Sequence, residues 1–158
     1  MKKLVPTAEM TLGPFFPREF AQGMNDLTHL DGRPAEGEVI EITGRVTQLD
    51  GKPLDNLVLE IWQGDAQGRY DNPDFLGWGR AATDSDGVYS FRTIRPGGRA
   101  PSINMLLLYS GLMRQLQTVM YFEPGDHSPK LVAKKEGPSR YRFDIRLRGE
   151  DETPFFDD

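Results

Sequence analysis

The sequence predicts an all-β protein, a β-sandwich of mostly antiparallel strands with an extended N-terminal arm. Three observations carry that expectation. Apolar and polar residues alternate over short stretches such as Val39–Thr47, Val58–Gln63, Val88–Ile94 and Arg140–Arg148, the period of a ribbon with one face in a core. These stretches are separated by turn-forming residues, drawn from 17 glycines and 12 prolines in 158 residues. No long amphipathic helix and no internal repeat interrupts the pattern, which is that of regularly spaced strands in one domain over residues 1–158.

The arm, residues 1–31, contains Pro6, Pro14 and Pro17 beside Phe15, Phe16 and Phe20. Proline has no backbone donor for an interior strand, and phenylalanines are costly to leave in water, so the arm lies on its own subunit or on a neighbour. Covering its own core is the simpler of the two. The sandwich, residues 39–158, opens with Val39–Thr47, after which Asp50-Gly51-Lys52-Pro53 turns the chain toward Val58–Gln63. An antiparallel pair of these two strands is expected. In the second, Val58, Glu60 and Trp62 face one way and Leu59, Ile61 and Gln63 the other. The polar run Gly64-Asp65-Ala66-Gln67-Gly68 leaves the sheet, and Tyr70 emerges at the end of a turn. Asp86-Gly87 marks a turn before Val88–Ile94, and Arg95–Pro101 is a short loop. Ile103–Tyr109 reads as an interior strand and Leu112–Phe122 as another. Arg140–Arg148 then places Tyr141, Phe143, Ile145 and Leu147 on one face. In the tail, Phe155 and Phe156 are packing residues, as Phe15 and Phe16 are in the arm.

A formal net charge of -5 leaves no cationic excess for nucleic acid or anionic membrane, so neither is expected as a partner. With no cysteine, disulfides and thiolate chemistry are excluded. Apolar runs such as Met105–Tyr109 are too short to span a bilayer, and Met1–Pro6 is not followed by a signal-peptide apolar region, which makes a cytoplasmic protein the expectation. His29 and His127 each sit in polar surroundings without a metal-ligand companion and read as surface residues. Separation along the chain leaves a two-histidine site open. Asp84 and Asp86 form a turn rather than a catalytic pair, Gly77-Trp78-Gly79 lacks the lysine and context of a phosphate loop, and no serine sits in a nucleophile elbow.

Several segments taken in order resemble one family. They are Leu59-Glu60-Ile61-Trp62-Gln63, Gly68-Arg69-Tyr70, Gly79-Arg80, Phe91–Gly97 and Tyr141–Ile145, with Thr11-Leu12-Gly13-Pro14 in the arm and Gly149–Thr153 and Phe155-Phe156 near the end. Together they are similar to the intradiol aromatic-ring dioxygenases, and within them to the α-type chains of protocatechuate 3,4-dioxygenases. The resemblance implies a β-sandwich. It also implies that an iron-carrying chain binds Fe(III) through two tyrosines and two histidines, and that dioxygen attacks the bound catecholate there. Tyr70 matches the first tyrosine ligand. The second has no counterpart, since Pro96-Gly97 is followed by Gly98-Arg99, and Ser102 and Asn104 stand where two histidines would open the next strand. Neutral serine and asparagine are weak ligands for a hard trivalent ion, so no metal and no cofactor is expected in this chain. Arg99 falls at the position of an active-site arginine. No residue is expected to be catalytic, Tyr70 and Arg99 being relics.

What the resemblance implies instead is an α-type subunit paired with an iron-carrying β-type subunit that holds the Fe(III). Thr11, Gly13 and Pro14 become substrate-pocket candidates beside the partner's iron, and the ligand a catecholic small molecule. The carboxylate-binding arginine of α-type chains is replaced by Ser110, with Arg114 shortly after, which leaves the ring substituent open. The alternative is a stand-alone, metal-free protein of the same fold, a homo-oligomer that binds a small molecule or a protein.

Overall fold

The computed structural model describes residues 15–112 and 114–156. Eleven strands are named in chain order: β1 His29–Leu30, β2 Arg33–Pro34, β3 Val39–Thr47, β4 Val58–Trp62, β5 Trp78–Ala82, β6 Val88–Ile94, β7 Ser102–Leu108, β8 Leu116–Tyr121, β9 Lys134–Gly137, β10 Arg140–Arg142 and β11 Ile145–Arg146. Two layers result. The first sheet is built on β3, with β6 antiparallel on one side, β10 and β11 parallel on the other, and β9 antiparallel to β10. The second runs β5-β4-β7-β8, antiparallel throughout. Among the described residues no helix is long and apolar enough to cross a membrane.

The alternation seen in the sequence decides which side chains meet between the layers. Ile40, Ile42 and Val46 of β3, with Tyr89 and Phe91 of β6, face Leu59 and Ile61 of β4 and Ile103, Met105 and Leu107 of β7, all buried. Each such side chain gains about 1.5–3 kcal/mol on burial, which fixes the register of its strand, because a one-residue slip would turn the whole set outward.

Two expectations about neighbours are corrected. β3 and β4 do not pair; they lie in different layers. Both sides of β3 are taken, and after Pro53 bridges back to Thr47 the chain crosses the end of the sandwich through buried Leu54 and Leu57. Thr83 holds that crossing, its hydroxyl donating to the Leu54 carbonyl at 2.5 Å and accepting from the Leu57 N–H at 2.9 Å. The stretch Arg140–Arg148 is two short parallel strands rather than one, although Tyr141, Phe143 and Ile145 are buried as expected and Leu147 packs against the core. Side chains replace the ladder at the break. The buried Tyr89 hydroxyl donates to the Phe143 carbonyl at 2.5 Å, and Asp144 Oδ1 accepts the Arg45 N–H at 2.9 Å. Gly44 lies opposite Tyr89, where a Cβ would collide with the phenol and with the Phe143 carbonyl.

The described part of the arm covers its own core in part, since Phe15, expected to pack, is 71% exposed. Residues 18–21 form a 3₁₀ turn, and Leu27 is buried in the main cluster. Segment 24–27 seals the open side between the layers: Arg80 of β5 donates its N–H to Met24 O, Arg92 of β6 donates to Asn25 O, and Leu27 donates to Arg92 O. Thr11, Gly13 and Pro14 lie outside the described residues. On the opposite side the tail makes the same kind of closure. Thr153 N–H donates to Arg146 O, Phe156 N–H donates to Gln117 O of β8, and the Thr118 hydroxyl donates to Pro154 O.

The loop after β4 is held by a carboxylate that the sequence presents as a mere turn residue. Asp65 is 1% exposed. It accepts the N–H groups of Gln67 and Arg69, both at 2.9 Å, the Asn72 amide at 2.9 Å, and the Arg69 guanidinium through Nε at 3.1 Å and Nη2 at 3.0 Å. Burial alone would raise this carboxyl, but those donors outweigh it and hold it at about 2.

Two consequences are measurable. A depressed carboxylate stabilises the folded chain above its unfolded pKa near 4 and loses that contribution as pH falls through about 2. Asp65→Asn should therefore cost roughly 2 kcal/mol at neutral pH and flatten the stability profile between about pH 5 and 2. Urea unfolding as a function of pH reads this directly, and an unchanged acid slope would contradict it. Tyr89→Phe, which leaves the Phe143 carbonyl buried without its donor, should lower the unfolding free energy by about 1–3 kcal/mol in the same assay.

Candidate functional site

The outward face of the second sheet carries the residues that the sequence marks as a relic site. Strand register sets them in rows: Trp78, Trp62, Asn104 and Val119 across β5, β4, β7 and β8, and behind them Arg80, Glu60, Leu106 and Gln117. All of these but Arg80, together with Leu76, Tyr121 and Phe156, line an open trough of ≈ 860 Å³. The Asp65 loop delivers Tyr70 to one end of it. The Tyr70 ring meets the Trp62 indole edge-on, centroids 4.9 Å apart, and both rings are about half exposed, at 51% and 54%. Asn104 Nδ2 donates to the Trp62 carbonyl at 3.1 Å and lies 3.5 Å from the Tyr70 hydroxyl.

Deeper in the trough Glu60 and Arg80 neutralise each other. Glu60 Oε1 accepts from Arg80 Nε at 2.9 Å and Nη2 at 2.6 Å, with side chains only 18% and 15% exposed. Arg80 is clamped over the Phe20 ring at 3.8 Å, lies 5.0 Å from that of Trp78, and donates to the Phe20 carbonyl. One end of the sheet face is thus roofed by the chain's own arm.

The residues present do not fit ferric iron. Tyr70 offers a phenol, but Ser102 and Asn104 supply neutral oxygen and amide groups, and the Asn104 amide is committed to a backbone carbonyl. His29 is exposed in the β1–β2 hairpin, its Nδ1 3.0 Å from the Thr28 hydroxyl. His127 stacks on Tyr121 at 3.7 Å, with Nε2 3.0 Å from the Glu123 carbonyl. Each imidazole has a structural place of its own. Among the described residues no group of three or more His, Cys, Asp or Glu side chains could hold a metal ion. The structure therefore brings Tyr70 and Asn104 together, where the aligned motifs put them, without assembling a coordination sphere.

Other sequence candidates are placed more loosely. Arg99 is exposed on the loop after β6, whose Gly97 N–H donates to Asp65 O, so that loop backs the one carrying Tyr70. Gly97 and Gly68 are required there, because a Cβ on either would press on the facing backbone. Arg114 is exposed in the connection between β7 and β8. The two tryptophans were not singled out from sequence as site residues. Their signal was nonetheless present, in the alternation that sets Trp62 opposite to the core-facing Leu59 and Ile61.

Comparison with known proteins agrees with this fold. Residues 11–106 match the family model described as Dioxygenase. The chain is 30% identical over 196 aligned positions to the protocatechuate 3,4-dioxygenase alpha chain of Burkholderia cepacia, covering 99% of this chain and 100% of that one. To the protocatechuate 3,4-dioxygenase beta chain of the same organism it is 33% identical over 202 positions, covering 97% and 85%. Overall identity does not separate the two types. Among solved structures, the dioxygenase domain of a dioxygenase carbohydrate-binding protein fusion from Streptomyces sp. SirexAA-E superposes with a TM-score of 0.66 at 28% identity, covering 90% of this chain and 98% of that one. Sandwich, ordered motifs and full-length relatives converge, and the chain belongs to the intradiol ring-cleavage dioxygenase family.

Proposed function

We propose that this chain is the α-type subunit of a protocatechuate 3,4-dioxygenase-like complex. A partner β-type chain carries the Fe(III) on which dioxygen cleaves a catechol ring between its hydroxyl-bearing carbons. This chain contributes pocket wall and assembly surface, and works in the cytoplasm. One observation carries the reading: Asn104, which with Ser102 stands where the resemblance puts the imidazoles of an iron-carrying chain, lies 3.5 Å from the Tyr70 hydroxyl and is spent on the Trp62 carbonyl. A scaffold kept over its full length with its metal donors replaced is what a subunit retained for assembly would look like.

Thr11, Gly13 and Pro14 are proposed to line the partner's substrate pocket, with Arg114 the candidate for contacting the substituent on the ring. A second reading, a homo-oligomeric, metal-free protein that acts alone, draws support from Ser110 after β7, where α-type relatives are expected to carry a carboxylate-binding arginine.

Co-expression with an iron-carrying β-type chain separates the two. The first reading predicts a stable complex that consumes oxygen and opens the ring of protocatechuate or another catechol, with no turnover by this chain alone. Because Tyr70 takes no part in the chemistry, Tyr70→Phe should leave the complex within about twofold of its original rate, the range of an ordinary surface substitution. Ring cleavage by the isolated chain, or its abolition by Tyr70→Phe, would overturn the assignment. A persistent homo-oligomer with no affinity for the β-type chain would favour the second reading.

A further inference from the structure

Cationic side chains gather on the outward face of the first sheet, the opposite face of the sandwich from the relic site. Ile42, Val46, Tyr141 and Ile145 point inward, so alternation turns Arg45 of β3, Arg142 of β10 and Arg146 of β11 outward. Register sets Arg142 opposite Thr43 and Arg146 opposite Thr47, which puts the three arginines on adjoining strands. With Lys130 of the 3₁₀ turn Pro129–Leu131 and with Asp151 and Thr153 of the tail, they line an open groove of ≈ 550 Å³. Four cations and two carboxylates, Asp144 and Asp151, stand there in a chain whose formal net charge is -5. Such a local excess of one sign raises the concentration of counter-ions at the groove.

The donors of this groove are only partly used. Arg45 Nε donates to Asp86 O at 2.7 Å, and Arg142 Nε donates to both oxygens of Asp144, at 3.1 and 3.0 Å. The terminal Nη groups of both arginines make no hydrogen bond among the described residues. Paired guanidinium donors of this kind match the edge of a carboxylate or a phosphate. Thr153, 4% exposed, accepts the Arg146 N–H at 2.9 Å, and its own O–H has no acceptor among the described residues. The two carboxylates differ. Asp144 is fixed, since its Oδ1 also accepts the Arg45 N–H at 2.9 Å. Asp151 lies 3.5 Å from Arg146 Nη1 and 3.9 Å from Lys130 Nζ, bonded to neither, with its side chain 77% exposed. Lys130 Nζ donates instead to Glu150 O at 3.0 Å. A carboxylate drawn among cations without being bonded to them is held weakly and yields to an anion that bonds them.

We propose that this groove binds a small dianion, a dicarboxylate or a phosphate group, through Arg45, Arg142, Arg146 and Lys130, and that Asp151 is the internal competitor which the ligand displaces. The shared chemistry is two negative charges on oxygens that guanidinium forks can grip. The site uses neither Tyr70 nor Asn104 and belongs to the chain under either reading of its function.

Calorimetric titration of the full chain at low ionic strength tests the site, with inorganic phosphate, succinate and acetate as probes at about pH 8, where the first two are dianions. One saturable site should take phosphate or succinate at least about tenfold more tightly than acetate, because the second charge engages further donors. Arg45→Gln and Arg142→Gln, with folding checked by circular dichroism, should each weaken that dianion about tenfold, whereas Arg33→Gln in the β1–β2 hairpin should change it by less than about twofold. Asp151→Asn, at an exposed position, should tighten binding roughly threefold, an effect that a merely structural role for the cluster does not produce. Saturation by phosphate and not by succinate assigns the groove to phosphate groups, and the reverse assigns it to dicarboxylates; either result upholds the site. No saturation by either dianion below about 10 mM overturns it. Binding that acetate matches, and that the arginine and Asp151 variants leave unchanged, is general screening of a charged surface and overturns it too.

Discussion

A buried carboxylate does most to shape the functional end of this molecule. Asp65 accepts bonds from two backbone N–H groups, the Asn72 amide and the Arg69 guanidinium, and its own carbonyl accepts from Gly68 and Gly97. An ionised group 1% exposed would be prohibitively costly without those donors. With them it ties the loop after β4 to the loop after β6, and the two glycines permit backbone to approach backbone. Tyr70 is presented at a fixed place above Trp62 as a result. The knot has a structural reason of its own, because the same bonds satisfy the loop's buried polar groups.

Retention of scaffold and loss of metal donors are physically separable. Ser102 and Asn104 lie on the outward side of β7, alternating with inward-facing Ile103 and Met105. Exchanging an imidazole for a smaller polar group at such half-exposed positions disturbs no core contact, and Asn104 recovers a hydrogen bond from the neighbouring strand. The closures at the sandwich sides, residues 24–27 and 153–156, are held by backbone hydrogen bonds that use neither Tyr70 nor Asn104. Packing holds the fold whatever polar residues stand on this outward face.

Much of this was legible from the residues, for identifiable reasons. β3 runs over Val39–Thr47 as the alternation predicts, and the inward set Tyr141, Phe143 and Ile145 is correct. Alternation reports which face a residue takes, not which strand lies beside it, so the β3–β4 pairing was misjudged and the parallel pairing of β10 and β11 went unseen. The break at Phe143–Asp144 depends on Tyr89 and Arg45, far away in sequence. Asp65 read as a turn former because aspartate between glycines favours turns; only the folded loop supplies its five N–H donors. The nearness of Tyr70 and Asn104 could not come from spacing, since 34 residues separate them. It followed from the resemblance of ordered motifs.

The central claim is that this polypeptide holds no ferric ion of its own. Metal analysis and visible absorption of the purified chain, alone and then bound to an iron-carrying chain, test it most directly. The account predicts a colourless isolated chain without stoichiometric iron, and a coloured complex whose iron and tyrosinate-to-iron absorption follow the partner. Iron bound by the isolated chain, with that absorption lost in Tyr70→Phe, would contradict it.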